Sequence, residues 1–416
     1  MISAILYALF LRLYYSFAQI YAFFNPKGKE WIQGRKRINE DLKSLSKENK
    51  PIIWLHASSL GEYEQGLPVA ETLKRKFSGH RILWTFYSPS AYTVVKSKDK
   101  DDYIAYLPFD FKKNIESFLD IVKPKAVVFI KYDFWHNTIG SIKKRNISLV
   151  LAGAAFRENQ VFFKGYGVFF RKMLHSFDMI FVQDENSKNL LNKIGVNQVE
   201  ITGDPRAERV LEIKNKNERN LQIESFKGEK VLLVAGSTWE EDEKLLKSCL
   251  PAFIEKFDMK ILIAPHEISN KRIASVMQLF KEFKPVLYSE AQKETSNLMI
   301  MDKMGLLSRT YKYASFAYVG GGFGKGIHNI LEAAVYGIPV FFGPNTDKFI
   351  EARELTTMKS AYIVEDKNEF IRLINLQEEN DSIKTAILEN NANYFLNKSN
   401  TSEAVCKYLN KKLAHE

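Results

Sequence analysis

The chain has almost no cysteine: 416 residues contain only Cys249 and Cys406, far apart and in no CxxC pair. A disulfide framework and a cysteine zinc site are therefore excluded as organising devices, and a reducing compartment fits. The GxxxxGK[ST] spacing of a Walker phosphate loop and a GxGxxG turn near the N-terminus are also missing. Their absence argues against an ATPase and against a dinucleotide-dependent oxidoreductase. Acidic charge is in deficit, 49 Asp and Glu against 60 Lys and Arg, a formal charge of +11. Such a balance favours polyanionic surroundings, either nucleic acid or an anionic membrane face. No recognisable RNA- or DNA-binding module accompanies the charge, so no nucleic-acid partner is expected. With 45% hydrophobic and 26% charged residues the chain reads as folded, and its length predicts two domains.

What is present is most informative at residues 318–345, YVGGGFGKGIHNILEAAVYGIPVFFGPN. This stretch reads as strand, glycine loop, helix, turn and second strand. Gly320, Gly321, Gly322, Gly324 and Gly326 would let a ligand approach the backbone closely. A helix beginning near His328 would aim free N–H groups at an anion in that loop. Asn329 and Glu332, three residues apart, would then face the same ligand. A phosphate at a helix start with a carboxylate one turn beyond suits a nucleotide sugar; a purely architectural glycine turn is the alternative.

Short apolar runs alternate with helical patterns throughout. One series comprises 52–56, 81–86, 126–130, 147–153 and 179–183; a second comprises 231–236, 260–265, 297–301, 316–320, 338–342 and 361–364. The alternation predicts an α/β protein of two Rossmann-like, doubly wound domains over 26–206 and 231–395, facing a central cleft. Residues 207–230 read as a polar linker, and 396–416 as a closing helix. Ahead of the first domain, residues 1–25 include an apolar stretch, ISAILYALFLRLYYSFAQIYAFF, broken mainly by Arg12. A membrane span, a helix lying in the membrane interface and a buried core helix are all compatible with it. Residues 26–50 follow with eight Lys or Arg (Lys27, Lys29, Arg35, Lys36, Arg37, Lys43, Lys47, Lys50) against four acids, which places that flank on the cytoplasmic side.

Several residues could carry chemistry. Glu62 falls in the first turn of a helix after the strand 52–56, where the helix dipole would favour its ionised form, as a general base or merely as a charge-complementing residue. Gly236, Ser237 and Thr238 follow the strand 231–235; the two hydroxyls either hold a phosphate or cap the next helix. Pro265 and His266, and Met304 and Gly305, occupy comparable strand ends, so four loops converge on one potential pocket. His266 and His328 have no neighbours at metal-ligand spacing, and no metal is expected. In the segment VFFKGYGVFFRK, the residues Phe162, Phe163, Lys164, Arg171 and Lys172 suggest a lipid-facing or acceptor-binding surface, or a packed helix with a solvated basic edge.

These motifs together are similar to those of the 3-deoxy-D-manno-octulosonate (Kdo) transferases of lipid A assembly. The resemblance runs through HASSLGE at 56–62, SPSA at 88–91, LPFD at 107–110, FKGYG at 163–167, TGDPR at 202–206, GST at 236–238 and the glycine loop with HNILEAA. It implies a glycosyltransferase B fold and an inverting, metal-independent transfer of Kdo from CMP-Kdo to a lipid A precursor. Glu62 would be the base, and Asp133 and Arg206 would act on the transition state. CMP would lie at Pro265 and His266, at Met304, Gly305 and Leu306, and at Asn329, Ile330, Leu331 and Glu332, beside Gly321, Gly322 and His328. No cofactor is implied, and the site of action would be the cytoplasmic side of the inner membrane of a Gram-negative bacterium. Another nucleotide sugar, or a non-enzymatic protein binding anionic lipid, are the alternatives. The chain departs from the family pattern in several places. Lys131-Tyr132-Asp133 replaces an acid-Thr-acid run, Pro265-His266-Glu267 lacks the arginine of a Pro-Arg-His run with Lys271 or Arg272 as substitutes, Arg206 stands where lysine is usual, and Leu306 replaces a glutamate.

Overall fold

The computed structural model describes residues 2–42, 45, 48, 50–99, 101–290 and 296–414, apart from the side chains of 2–4, 27 and 39. Lys43 and Lys47 of the basic flank therefore lie outside the described residues. The chain forms two compact units, Met1–Arg209 with Lys398–Glu416, and Val210–Asn397.

In the first unit seven parallel strands lie in the order β3-β2-β1-β4-β5-β6-β7. They are β1 (Ile52–Ala57), β2 (Arg81–Phe86), β3 (Tyr103–Tyr106), β4 (Ala126–Ile130), β5 (Ser148–Ala154), β6 (Met179–Val182) and β7 (Val199–Ile201). Strand β1 is buried along its whole length, as expected of a central parallel strand covered by helices on both faces. The pleat sorts its side chains: Ile52 and Trp54 join one core cluster, while Ile53, Leu55 and Ala57 join the other. The helix Leu60–Lys76 covers that second cluster with Val69, Ala70 and Leu73. The last helix, Thr401–Leu413, adds Val405, Cys406 and Leu409 to it. Its first turn is held by Glu208, whose carboxylate accepts from the backbone N–H groups of Thr401 and Ser402.

The second unit repeats the plan with β8 (Leu232–Thr238), β9 (Lys260–Pro265), β10 (Val286–Leu287), β11 (Leu298–Ile300), β12 (Phe316–Val319), β13 (Val340–Phe342) and β14 (Ala361–Ile363). All are parallel, in the order β10-β11-β9-β8-β12-β13-β14. Segment 207–230, expected as a plain linker, instead carries the helices Pro205–Lys216 and Leu221–Lys227, with Ala207, Val210, Ile223 and Phe226 buried. Each of these helices is polar on average yet buries one face, so composition alone hid their packing. Strands β3, β7 and β10 were not foreseen. Edge positions explain two of them: β7 and β10 need no continuous apolar run because one side of each faces no partner strand. Strand β3 is also an edge, but its Ile104, Ala105 and Tyr106 are buried and the run is only four residues long.

The N-terminal helix Ile2–Phe24 is two-sided. Leu11 is buried, Tyr15 packs edge-on against Phe109, and the Tyr7 hydroxyl donates to Asp110 Oδ2 at 2.6 Å. Phe10, Leu13, Phe17, Ile20 and Tyr21 are more than half exposed. A wholly buried core helix is thereby ruled out, and among the described residues no helix is long and apolar enough to cross a membrane.

Removing a fully buried side chain from the returning helix should be costly while an exposed one should not matter. Leu409→Ala is expected to lower unfolding free energy by about 2–4 kcal/mol in urea titration, and Leu396→Ala, at 79% exposure, by less than about 0.5 kcal/mol.

Candidate active site

In the first sheet the winding reverses between β1 and β4, and a parallel sheet opens a crevice at the carboxyl ends of its strands at such a point. The loops leaving those two strands meet there. Ser58 Oγ donates to Asp133 Oδ1 at 2.5 Å, and His56 Nε2 lies 3.4 Å from Asp133 Oδ2. His56 Nδ1 is 3.0 Å from the Thr85 carbonyl and 2.8 Å from Thr85 Oγ1. A carbonyl only accepts, so Nδ1 carries the ring proton and Nε2 presents a lone pair to Asp133. Burial pushes His56 down to about 4 and Asp133 up to about 6. Among the described residues His56 Nε2 and Asp133 Oδ2 have no other hydrogen-bond partner.

Glu62 stands beside this pair at the third position of the helix Leu60–Lys76. Ser59 N donates to Glu62 Oε2 at 3.0 Å and Glu62 N donates to Ser59 Oγ at 3.3 Å, a reciprocal capping box. The helix dipole was expected to keep Glu62 readily ionised, yet its carboxyl is shifted upward. Burial is the main cause and the charge of Asp133 the next, and together they outweigh the capping bonds. A carboxylate raised in this way is a stronger proton acceptor.

Arg206 belongs to a different group. Its Nε and Nη2 donate to Asp204 Oδ2 at 2.8 and 2.6 Å. Asp204 is fully buried; burial pushes its carboxyl up, but the charges of Arg206 and Lys131 bring it below the usual range. Lys131 adopts the left-handed conformation, φ 72°, at the end of β4. Asp133 therefore joins Glu62, while Arg206 and Lys131 gather around Asp204 and Tyr132.

In the second unit the winding reverses between β8 and β12, and the glycine loop leaves β12 at that edge. Asp242, which is buried, ties the loop down: it accepts from Gly321 N and Trp239 N, both at 2.9 Å, and from the Tyr318 hydroxyl at 2.7 Å. Gly320 has no room for a side chain, since a Cβ would sit 2.4 Å from the Ser237 carbonyl oxygen, and Gly321 has φ +96°. Three aromatic rings stack above this turn. Trp239 lies 4.7 Å from His266, which lies 4.3 Å from His328, all within 24° of parallel. Trp239 Nε1 donates to His328 Nε2 at 3.0 Å, leaving the ring proton of neutral His328 on Nδ1. Burial, then His266, lowers His328 to about 4.

Several expectations are corrected here. The helix after the glycine loop spans only Leu331–Ala334, and His328 to Ile330 precede it in a turn, because His328 N is drawn back to the Gly320 carbonyl. Ile330 and Leu331 are core residues, so only their backbone is available to a ligand. Asn329 Nδ2 donates to Glu332 Oε1 at 3.3 Å, so the pair is mutually engaged. Ser237 and Thr238 do not cap the next helix: Trp239 is the cap residue, Ser237 is left-handed at φ 54°, and Thr238 Oγ1 donates to buried Glu243. Arg272, a candidate substitute for the missing arginine, has its guanidinium 2.6 Å from the same Glu243. Pro265 ends β9 in the interior, Met304 is 80% exposed, Gly305 is left-handed, and the Leu306 carbonyl starts the helix Leu307–Thr310. Gly236 and Gly322 are core positions of the same edge.

The segment 161–172 is mostly a packed element and not a surface. Phe162 is buried against Phe134 and Phe156, Phe163 is half-buried, and Arg171 donates to the carbonyls of Phe162 and Lys164. Only Gly165, Tyr166, Val168 and Lys172 are exposed. Among the described residues no three His, Cys, Asp or Glu side chains are grouped as a metal ion requires. In the chain's one DxD triplet, residues 99–101, Asp99 Oδ1 accepts from Asp101 N and Asp102 N. His56, Ser58, Trp239 and Asp242 were not assigned site roles from sequence. His56 and Ser58 lie inside HASSLGE and Trp239 directly follows GST, which is the signal that was available.

Two parallel seven-stranded sheets of this winding, each with its polar groups at a switch point, define a glycosyltransferase B-like α/β protein. A glycosyltransferase from Rickettsia africae superposes with a TM-score of 0.60 at 13% identity, covering 89% of this chain and all of that one. The UDP-GlcNAc 2-epimerase of Neisseria meningitidis gives 0.64 at 14%, covering 87% and 100%. Residues 34–209 match the family described as 3-deoxy-D-manno-octulosonic-acid transferase (kdotransferase). The 3-deoxy-D-manno-octulosonic acid transferase of Aquifex aeolicus is 26% identical over 83% of this chain and 94% of its own length. A bifunctional glycosyltransferase/methyltransferase of Fusobacterium nucleatum is 28% identical over 85% of the chain, which spans only 56% of that protein. The chain is thus similar to Kdo transferases, by family over residues 34–209 and by relatives over most of its length.

Because Asp133 helps to raise Glu62, replacing it by a neutral isostere should lower the Glu62 pKa. Asp133→Asn is expected to move the acidic limb of the kcat/KM–pH profile to lower pH, and an unmoved limb would show that burial alone sets it.

Proposed function

We propose that this enzyme transfers Kdo from CMP-Kdo to a sugar hydroxyl of a lipid A precursor, with inversion at the anomeric carbon and without a metal or organic cofactor. The observation that carries the mechanism is the half-buried Glu62 carboxylate, raised by burial and by Asp133 at the switch point of the first sheet. Glu62 takes the proton of the acceptor hydroxyl, its oxygen bonds to the anomeric carbon, and the bond from that carbon to the CMP phosphate breaks. Asp133, held by Ser58 and His56, orients and tunes the base. The leaving phosphate is suited to the neutral Nδ1–H donor of His328 and to the backbone N–H groups of the glycine turn. Arg206 supplies positive charge, moderated by Asp204. The stacked Trp239, His266 and His328 rings suit the donor nucleotide.

The helix Ile2–Phe24 fits an interfacial anchor on the cytoplasmic face of the inner membrane. Its outer face exposes Phe10, Phe17 and Ile20, while Tyr7 and Tyr15 hold its inner face to the first unit.

Glu62→Gln is expected to lower kcat by at least about 100-fold in a CMP-release assay with CMP-Kdo and a lipid A precursor, with an unchanged circular dichroism melt. Full activity would remove Glu62 from the mechanism. Trp239 is the sole tryptophan of residues 210–397, so CMP is expected to change its fluorescence, and Trp239→Phe to abolish that change. A response to UDP but not CMP would contradict the donor. Phe17→Asp with Ile20→Asp should abolish co-sedimentation with anionic vesicles while leaving turnover of a detergent-dispersed acceptor intact.

A further inference from the structure

Arg35 is an unusual buried charge. It is 7% exposed, and its guanidinium lies 4.4 to 5.0 Å from the ring centroids of Trp31, Tyr87, Tyr106 and Phe109. Its Nη1 donates to the Trp31 carbonyl and its Nη2 to the Tyr87 carbonyl, while Nε has no partner. Among the described residues no carboxylate pairs with it. Aromatic faces and two carbonyls recover part of the hydration a guanidinium loses on burial, but not its counter-charge. Burial accordingly draws it down to about 10. An uncompensated buried cation is costly and calls for an anion.

There is a place for one. A cavity of about 360 Å³ is lined by Arg35 together with Lys36, Lys113, Asn114, Ser117 and Tyr15. Three cations and three neutral hydrogen-bonding side chains surround it, and no acidic side chain among the described residues lines it. A second cavity of about 440 Å³ is lined by Tyr14, Phe17, Ala18, Tyr21 and Trp31, and is largely apolar. Trp31 is the ring over which Arg35 sits, so a cationic cavity and an apolar cavity adjoin one Trp–Arg pair and share the N-terminal helix as a wall.

We infer that this pair of cavities binds an anionic lipid, its phosphate against Arg35, Lys36 and Lys113 and part of an acyl chain along Phe17, Tyr21 and Trp31. The site differs from the sugar-transfer site at Glu62, and it deepens the interfacial reading of the N-terminal helix by naming the lipid chemistry the helix receives. A phosphate bearing an acyl chain fits both halves, whereas inorganic phosphate fills only the first.

The test uses the full chain and dihexanoyl phosphatidylglycerol below its micelle concentration, followed by isothermal calorimetry. Saturable one-site binding is expected, with weaker binding of dihexanoyl phosphatidylcholine and of inorganic phosphate. Lys36 and Lys113 are exposed, so Lys36→Ala with Lys113→Ala should fold normally and weaken binding by about 30-fold. Unchanged affinity in that double variant, or equal affinity for the zwitterionic lipid, would overturn the site. Inorganic phosphate binding as tightly as the lipid would overturn the acyl half. Vesicle co-sedimentation separates this from the anchor reading: binding of monomeric lipid without vesicle association supports the cavity and removes the anchor. Vesicle association with no saturable binding of monomeric lipid removes the cavity.

Discussion

Strands that all run one way end at one edge of a sheet, and where the winding reverses the connections to neighbouring strands leave in opposite directions. That constraint organises both units of this protein. In the first unit it brings the loops after β1 and β4 together, placing Ser58, Asp133 and Glu62 in one group although 75 residues separate the first two. In the second it brings the turn after β8 against the glycine loop after β12, where Gly320 N donates to the Gly236 carbonyl. The glycines there serve fit: a Cβ at Gly320 would collide with the backbone of Ser237 and Thr238.

Four buried carboxylates around these edges do different work because their partners differ. Asp204 has a cation beside it and is held ionised. Asp242 has only neutral donors, and burial leaves it raised while it anchors the glycine loop. Glu243 faces Arg272 and Thr238, yet burial still raises it, so that pair stiffens the helix start. Asp133 has one hydroxyl donor and the lone pair of a neutral histidine, and it is the one poised near neutral pH. Placing such a group beside Glu62 pushes the Glu62 carboxyl further upward than burial alone, the arrangement that makes a carboxylate a useful base.

Much of this could be read in the order of residues. The inner strands follow from uninterrupted apolar runs, since a strand covered on both faces has no polar side to show. Glu62 could be placed because HASSLGE joins a strand to a helix start. The edge strands β7 and β10 escaped because they are short and half-exposed. The helices within 205–227 escaped because each buries only one or two apolar residues under a polar average. The aromatic basic segment 161–172 misled for the opposite reason: Phe162 turns inward, and Arg171 binds backbone carbonyls instead of lipid.

The sequence by itself determined the α/β class, the two series of strands, the resemblance to the Kdo transferases and the identity of the residue at the helix start that could act as a base. Those depend on local pattern and on motif, which are properties of neighbours along the chain. Only the tertiary structure decided protonation and partnership: that Asp133 sits between Ser58 and His56, that Arg206 answers to Asp204, that Trp239, His266 and His328 stack, and that Arg35 is buried with no carboxylate partner among the described residues. Each of these joins residues from different parts of the fold. Burial and charge at such meeting points depend on what the fold brings within a few ångströms, and no periodicity in the sequence encodes that distance.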